Sequence, residues 1–320
     1  MQKPNTKRNI FILLSILCLL LIISIQQSIP QEALKHYQFT IAFDRNKLTS
    51  SPYLFLIVLL IAGYSIIIFL GFFNLINFLI HNFKKSLFTF ERRNKSLPLS
   101  QEGSSQLIFF ILFLVFLIYF LQWLVIIFKL KINLIGAVLF FNLIVEISVI
   151  LLIIKYLKTS YLDFRLNINR VVDTAKKYLT VLPVLVGIIF VNSFVLEKLG
   201  IETTNNPAIE LFLKIKGGFL FSILMLQIVF FGPLAEELLF RGFIYKLLRK
   251  KCSFLVSAIS SSLLFAALHR SSQDAFPLVV LAIILCYVYE KTNNIATPIL
   301  FHIMHNSLNV SFLLLVKILT

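Results

Sequence analysis

The sequence predicts an all-α fold, a polytopic transmembrane helical bundle of about eight to nine spans. Three observations predict it. Hydrophobic residues make up 59% of the 320 residues and charged residues only 14%, against about 45–50% and about 25% in soluble domains. Mean hydropathy is +0.92. Uninterrupted apolar runs long enough to cross lipid recur along the chain, and in lipid a closed hydrogen-bonded helix is the natural spanning element. A soluble globular domain, a disordered chain and a coiled coil are excluded.

The first apolar run, 10–29, follows Lys3, Lys7 and Arg8. It is long for a signal peptide and no small-x-small cleavage pattern follows it, so it reads as a retained signal anchor. Further spans are expected at 53–80, 107–128, 134–154, 181–199, 218–248, 254–269, 276–290 and 295–319. The segments between 254 and 290 are short, and losing one leaves eight spans. Two loops, 81–106 and 155–180, are the longest. In the second, Phe164, Ile168 and Val171–Val172 recur at helical spacing among basic residues, the pattern of an interfacial helix. No internal repeat is visible, so the signature of many transporters is missing. The chain divides into an N-terminal transmembrane region, 1–180, and a C-terminal core, 181–320.

The net charge is +16, from 30 basic and 14 acidic residues. The basic residues are scattered over short loops with no nucleic-acid motif, so no nucleic-acid partner is expected. They are what cytoplasmic loops collect, and anionic lipid head groups are their expected partners. With the N-terminus in the cytoplasm, the basic residues favour the inner side by roughly two to one. An Ile-, Phe-, Lys- and Asn-rich composition suggests a bacterial plasma membrane. Cys18, Cys252 and Cys286 form no CxxC or zinc spacing and read as isolated structural thiols.

Ionisable groups inside spans are costly and default to functional candidates. Glu146 lies in the fourth span; its simplest reading is a hydrogen-bonded carboxyl at a helix contact, outside the site. The sixth span carries Gly232-Pro-Leu-Ala-Glu-Glu-Leu-Leu-Phe-Arg-Gly242. On a helix Glu237 and Arg241 share a face, Glu236 points about 100° away, and Pro233 loosens the preceding backbone. Then comes Phe265-Ala-Ala-Leu-His269, a Phe and a His one turn apart. Last is His302-Ile-Met-His-Asn306, with His302 and Asn306 on one face and Asn309 extending it. Each motif alone reads as an ion pair, a capped histidine or an interhelical polar contact. Together they hold the inventory for water-driven amide hydrolysis without a Ser or Cys nucleophile. A carboxylate takes a proton from water, a histidine shares it, and a second histidine and an amide donate to a developing oxyanion.

These motifs, in this order, resemble the EExxxR, FxxxH and HxxxN pattern of the CPBP family of intramembrane proteases (CAAX proteases and bacteriocin-processing enzymes, also called the abortive-infection family). Pro233, Phe240, Gly242 and Pro298 match the family's flanks. The resemblance covers roughly 218–315. It implies an endopeptidase acting on membrane-associated or lipidated peptides, with CAAX-like or peptide-precursor substrates. It implies Glu236 as general base, His269 as its partner, His302 and Asn306 as the oxyanion hole, and Glu237 and Arg241 as supports. His305 has no family role. The family has been described both as metal-dependent and as glutamate-type. No HExxH is present, and one carboxylate is ill suited to be both ligand and base. No cofactor is therefore favoured; zinc on Glu236, His269 and His302 is the alternative. Two other readings stand beside the protease: a non-catalytic immunity or scaffold protein of the same fold, and a transporter using Glu146, Glu236 and His302 as a relay.

Overall fold

The computed structural model describes residues 6–28, 51–82, 99–127, 134–157, 162–201, 207–215, 217–269 and 271–319. Among these, every regular element is a helix. They are α1 (Thr6–Ser28), α2 (Ser51–Asn82), α3 (Gln101–Ile127), α4 (Leu134–Leu157), α5 (Ile168–Lys198), α6 (Pro207–Lys214), α7 (Phe219–Arg249), α8 (Phe254–Leu268), α9 (Ala275–Thr292) and α10 (Ala296–Leu319). Among the described residues, seven helices are long and apolar enough to cross a membrane, and two shorter apolar stretches lie at Arg8–Cys18 and Phe254–Leu268. This agrees with the eight to nine spans expected. Of the segments used for the orientation argument, 1–5, 30–50, 83–98, 129–133, 158–161, 202–206, Lys216 and Arg270 lie outside the described residues.

The largest departure from the expected spans is α5. It begins at Ile168, and the stretch expected as a separate interfacial helix is its first three turns. Asn167 sets the start: its side chain accepts from the Arg170 N–H at 2.8 Å, which satisfies a donor the helix leaves open. The amphipathic start and the apolar run then form one continuous helix.

The chain forms two compact units built from interleaved segments, Met1–Phe39, Lys95–Leu162 and Gly217–Leu239 in one, and Thr40–Asn94, Asp163–Lys216 and Phe240–Thr320 in the other. In the first, α1 packs along α3, with Phe11 against Phe109 at 5.8 Å and Arg8 Nη1 donating to Gln101 Oε1 at 2.8 Å. Leu107, Leu139, Val149, Ile153 and Leu157 are buried there. The α7 segment of this unit rests on α4. Its turn Gln227–Phe231 is π-helical. Pro233 follows and has no N–H to give, and its ring crowds the preceding turn. The widened turn absorbs both effects, with the Gly232 N–H reaching back to Gln227 O.

In the second unit, Tyr178, Leu182 and Leu185 of α5 meet Leu281, Leu285 and Val288 of α9 and Phe301 of α10. Helix α2 joins them through a close approach. A Cβ at Gly71 would stand 2.5 Å from Leu179 O and 2.9 Å from the Pro183 ring. Pro183 lacks the N–H that would take Leu179 O within the helix, and glycine lets the neighbouring backbone come up to that carbonyl. At the start of α10, Asn294 is fully buried. Its Oδ1 accepts from Thr297 N at 3.1 Å, its Nδ2 donates to Arg165 O at 3.2 Å, and Ile295 N donates to Asp163 O at 2.9 Å. This knot ties the segment leading into α5 to the start of α10.

Candidate functional site

The first unit holds Glu236 and Glu237, both on Gly232–Glu237 of α7. Glu236 is half-buried and Glu237 fully buried. Glu146 of α4 belongs to the same unit. The Gln227 side chain hydrogen-bonds its carboxyl, and Glu236 is close enough to act on it electrostatically. Gln227 also donates to Leu139 O at 3.0 Å. A Cβ at Gly232 would come within 3.9 Å of Glu146 Oε1. Sequence reasoning left Glu146 outside the site and passed over Gln227. The available signal was a lone amide within an apolar span, which needs a partner in lipid.

The second unit gathers Arg241, His269 and His302 around one ring. Phe265 is fully buried. The Arg241 guanidinium lies over it at 4.9 Å from the centroid. The His269 and His302 rings stand 4.5 and 6.0 Å from it, and Phe240 meets it edge-on at 5.1 Å. Arg241 lies in the π-helical stretch Leu238–Tyr245 and donates from Nη2 to Ala282 O at 3.1 Å. Widened turns of this kind often occur at functional positions. Sequence reasoning used Phe265 as a motif letter. The structure makes it the platform shared by three of the candidate side chains.

His269 caps α8, and its Nδ1 is 2.8 Å from Phe265 O. A carbonyl only accepts, so Nδ1 carries the hydrogen and a neutral ring keeps its basic lone pair on Nε2. His302 is buried and Asn306 half-buried, one turn apart on α10. His305 turns elsewhere: its ring meets Tyr178, and Asn309 Nδ2 lies 3.0 Å from its Nε2. Asn309 extends the His305 contact rather than the His302 face. Below these groups, Tyr245 donates to Glu290 at 2.7 Å and Arg249 Nε donates to the same carboxylate at 3.1 Å.

The zinc alternative draws on Glu236, His269 and His302, of which the first belongs to one unit and the others to the second. Within either unit, among the described residues, no three His, Cys, Asp or Glu side chains stand together as a metal site requires.

Apolar membrane-length helices bearing a few buried polar groups define a polytopic helical membrane protein. Residues 218–308, which contain all three motifs, match the family model described as Type II CAAX prenyl endopeptidase Rce1-like. The match supports the resemblance of this region to the CPBP family of CAAX-type membrane proteases. The chain is also 39% identical over 80 residues to "UPF0177 protein YxdF" of Lactococcus lactis subsp. lactis (strain IL1403), across 24% of this chain and 41% of that one. It is 29% identical over 76 residues to "Putative membrane peptidase YdiL" of Bacillus subtilis (strain 168), across 24% of this chain and 31% of that one. The chain thus spans less than half the length of the curated relatives it matches. No solved structure matches.

Proposed function

We propose that the chain is an intramembrane endopeptidase that hydrolyses peptide bonds of membrane-associated or lipidated substrates with water activated by Glu236 and His269. The match of residues 218–308 to a CAAX endopeptidase model carries this reading. The gathering of Arg241, His269 and His302 around Phe265 supports it.

In this reading the Glu236 carboxylate accepts a proton from water as the oxygen attacks the scissile carbonyl. His269 relays that proton to the leaving amine through Nε2, while Nδ1–H on the Phe265 carbonyl fixes the ring's tautomer. His302 and the Asn306 amide donate to the oxyanion of the tetrahedral intermediate. Glu237 and Arg241 hold the local helix geometry, Arg241 through the ring of Phe265 and the carbonyl of Ala282. The N-terminus faces the cytoplasm of a bacterial cell in this account, and the basic loops lie against anionic lipid. A peptide precursor or a membrane protein is the preferred substrate class.

The test is Glu236→Gln, which keeps size and hydrogen bonding and removes the base. Positioned general bases contribute about 10²- to 10⁴-fold, and the substitution should slow cleavage in proteoliposomes by that factor while the protein still folds. Full activity would remove Glu236 from the role.

A further inference from the structure

The relay proposed for His269 depends on where its ring points, and His269 stands where α8 ends. Its backbone N–H closes the last turn on Ala266 O at 3.1 Å, and its Nδ1 lies 2.8 Å from Phe265 O. Both contacts stay within α8. Helix ends fray, so a ring carried on one keeps its place when the chain beyond it is held. Two contacts hold that chain. Ser271 Oγ accepts from the Asp274 N–H at 3.1 Å and donates to the Asp274 carboxylate at 2.9 Å, and Asp274 O takes the Leu278 N–H at 2.8 Å in the first turn of α9. This ties the segment to the helix that follows it. The other contact comes from outside: Asn192 of α5 donates from Nδ2 to Gln273 O at 2.7 Å.

The sequence of α5 explains why Asn192 reaches this point. Tyr178, Leu182 and Leu185 form the α5 face packed on α9 and α10. Asn192 is seven residues past Leu185, about two turns, and so lies on the same face. On α9 that core uses Leu281, Leu285 and Val288, and Gln273 precedes all three. Further along α5, the same face thus meets the chain just before α9 begins. Asn192 stands in the run Gly187-Ile-Ile-Phe-Val-Asn192. An amide in such a span bonds across to a neighbouring segment, because leaving it unpaired in an apolar setting is costly. Its partner here is a backbone carbonyl of the segment that leads away from His269.

We propose that Asn192 is a positioning residue for the reaction: by holding Gln273 O it fixes the end of α8 and keeps the His269 ring on the Phe265 carbonyl through Nδ1–H, with Nε2 as the basic nitrogen. The proposal rests on the reading of His269 as the proton relay of Glu236.

The test uses the full chain in mixed micelles, labelled with ¹⁵N at histidine, at a pH where imidazoles are neutral. Wild-type His269 should show its hydrogen on Nδ1. Asn192→Leu keeps the volume and removes the donor. The two His269 nitrogen signals should then draw together as both tautomers are populated, while His305, which meets Tyr178, keeps its signals. An interhelical hydrogen bond in a membrane corresponds to about 3- to 20-fold, and hydrogen exchange from Ser271 to Leu278 should quicken by that factor. Asn192→Gln, which keeps an amide donor, should recover the wild-type His269 signals. A wild-type hydrogen on Nε2 would overturn the proposal, and that result needs no variant to fold. So would His269 signals that stay in place in Asn192→Leu, or that move equally in Asn192→Gln. In cell membranes, the peptide termini that depend on Glu236 should become scarcer with Asn192→Leu at equal abundance. Termini identical in the wild type and Glu236→Gln would overturn the hydrolytic reading instead, and the His269 spectra would still decide what Asn192 holds.

Discussion

Phe265→Leu should disturb His269 and His302 of the second unit at once. The phenyl ring is fully buried and touches Phe240, His269 and His302 at centroid separations of 5.1, 4.5 and 6.0 Å. Arg241 lies over it at 4.9 Å. Leucine keeps most of the apolar volume and removes the π face. An aromatic contact adds about 0.5–1.5 kcal/mol beyond its buried area, and a desolvated cation over a ring adds up to about 2 kcal/mol. These terms overlap, and truncating such a ring to alanine costs about 3–5 kcal/mol in all. Phe265→Leu should therefore lose about 2–3 kcal/mol in equilibrium unfolding from mixed micelles. In spectra of protein labelled with ¹⁵N at histidine, the His269 and His302 signals should both move while His305, which meets Tyr178 edge-on instead, stays in place. A loss under about 0.5 kcal/mol, or movement of only one of the two signals, would refute the shared platform.

Three further outcomes follow from other contacts. Gly71→Ala should destabilise by about 1–3 kcal/mol, the range for overpacking, because its methyl would stand 2.5 Å from Leu179 O; Gly63→Ala, with nothing within 4 Å, serves as the control in the same unfolding assay. Asn294→Ala should cost about 1–2 kcal/mol as a lost cap and should speed hydrogen exchange at Thr297 and Ile295 together, since one side chain ties both strands of the knot. The Arg165 guanidinium beside Asp163 holds that carboxyl well below the usual carboxylate range. A depressed carboxyl stabilises above its unfolded value near about 3.9 and loses that contribution as pH falls toward the folded value. The stability difference between wild type and Asp163→Asn should therefore be flat from about pH 5 to 8 and shrink below about pH 4, and a difference that grows on acidification would contradict the pairing.

The spans were legible because lipid imposes one demand on every position, and continuous apolar runs such as that of α4 satisfy it openly. The start of α5 was less legible: Val171 and Val172 among charges look interfacial, and the one-residue cap at Asn167 decides that the ladder runs on into lipid. The motif residues could be found from polarity alone, since Glu236, His269 and His302 stand out against their spans. Their neighbours could not. Phe265 differs in no local way from the other 33 phenylalanines of the chain, and only tertiary packing selects it. The π-helical turns escaped because they depend on how Gly232 and Pro233 resolve a backbone conflict, which residue periodicity does not encode.

The most direct test of the central claim compares peptide termini by mass spectrometry in membranes from cells carrying the wild-type chain or Glu236→Gln at equal abundance. Hydrolysis by Glu236-activated water predicts a set of new termini present only with the wild type, which would also identify the substrates. Identical termini in the two membranes would contradict the account and leave the fold with a non-catalytic role.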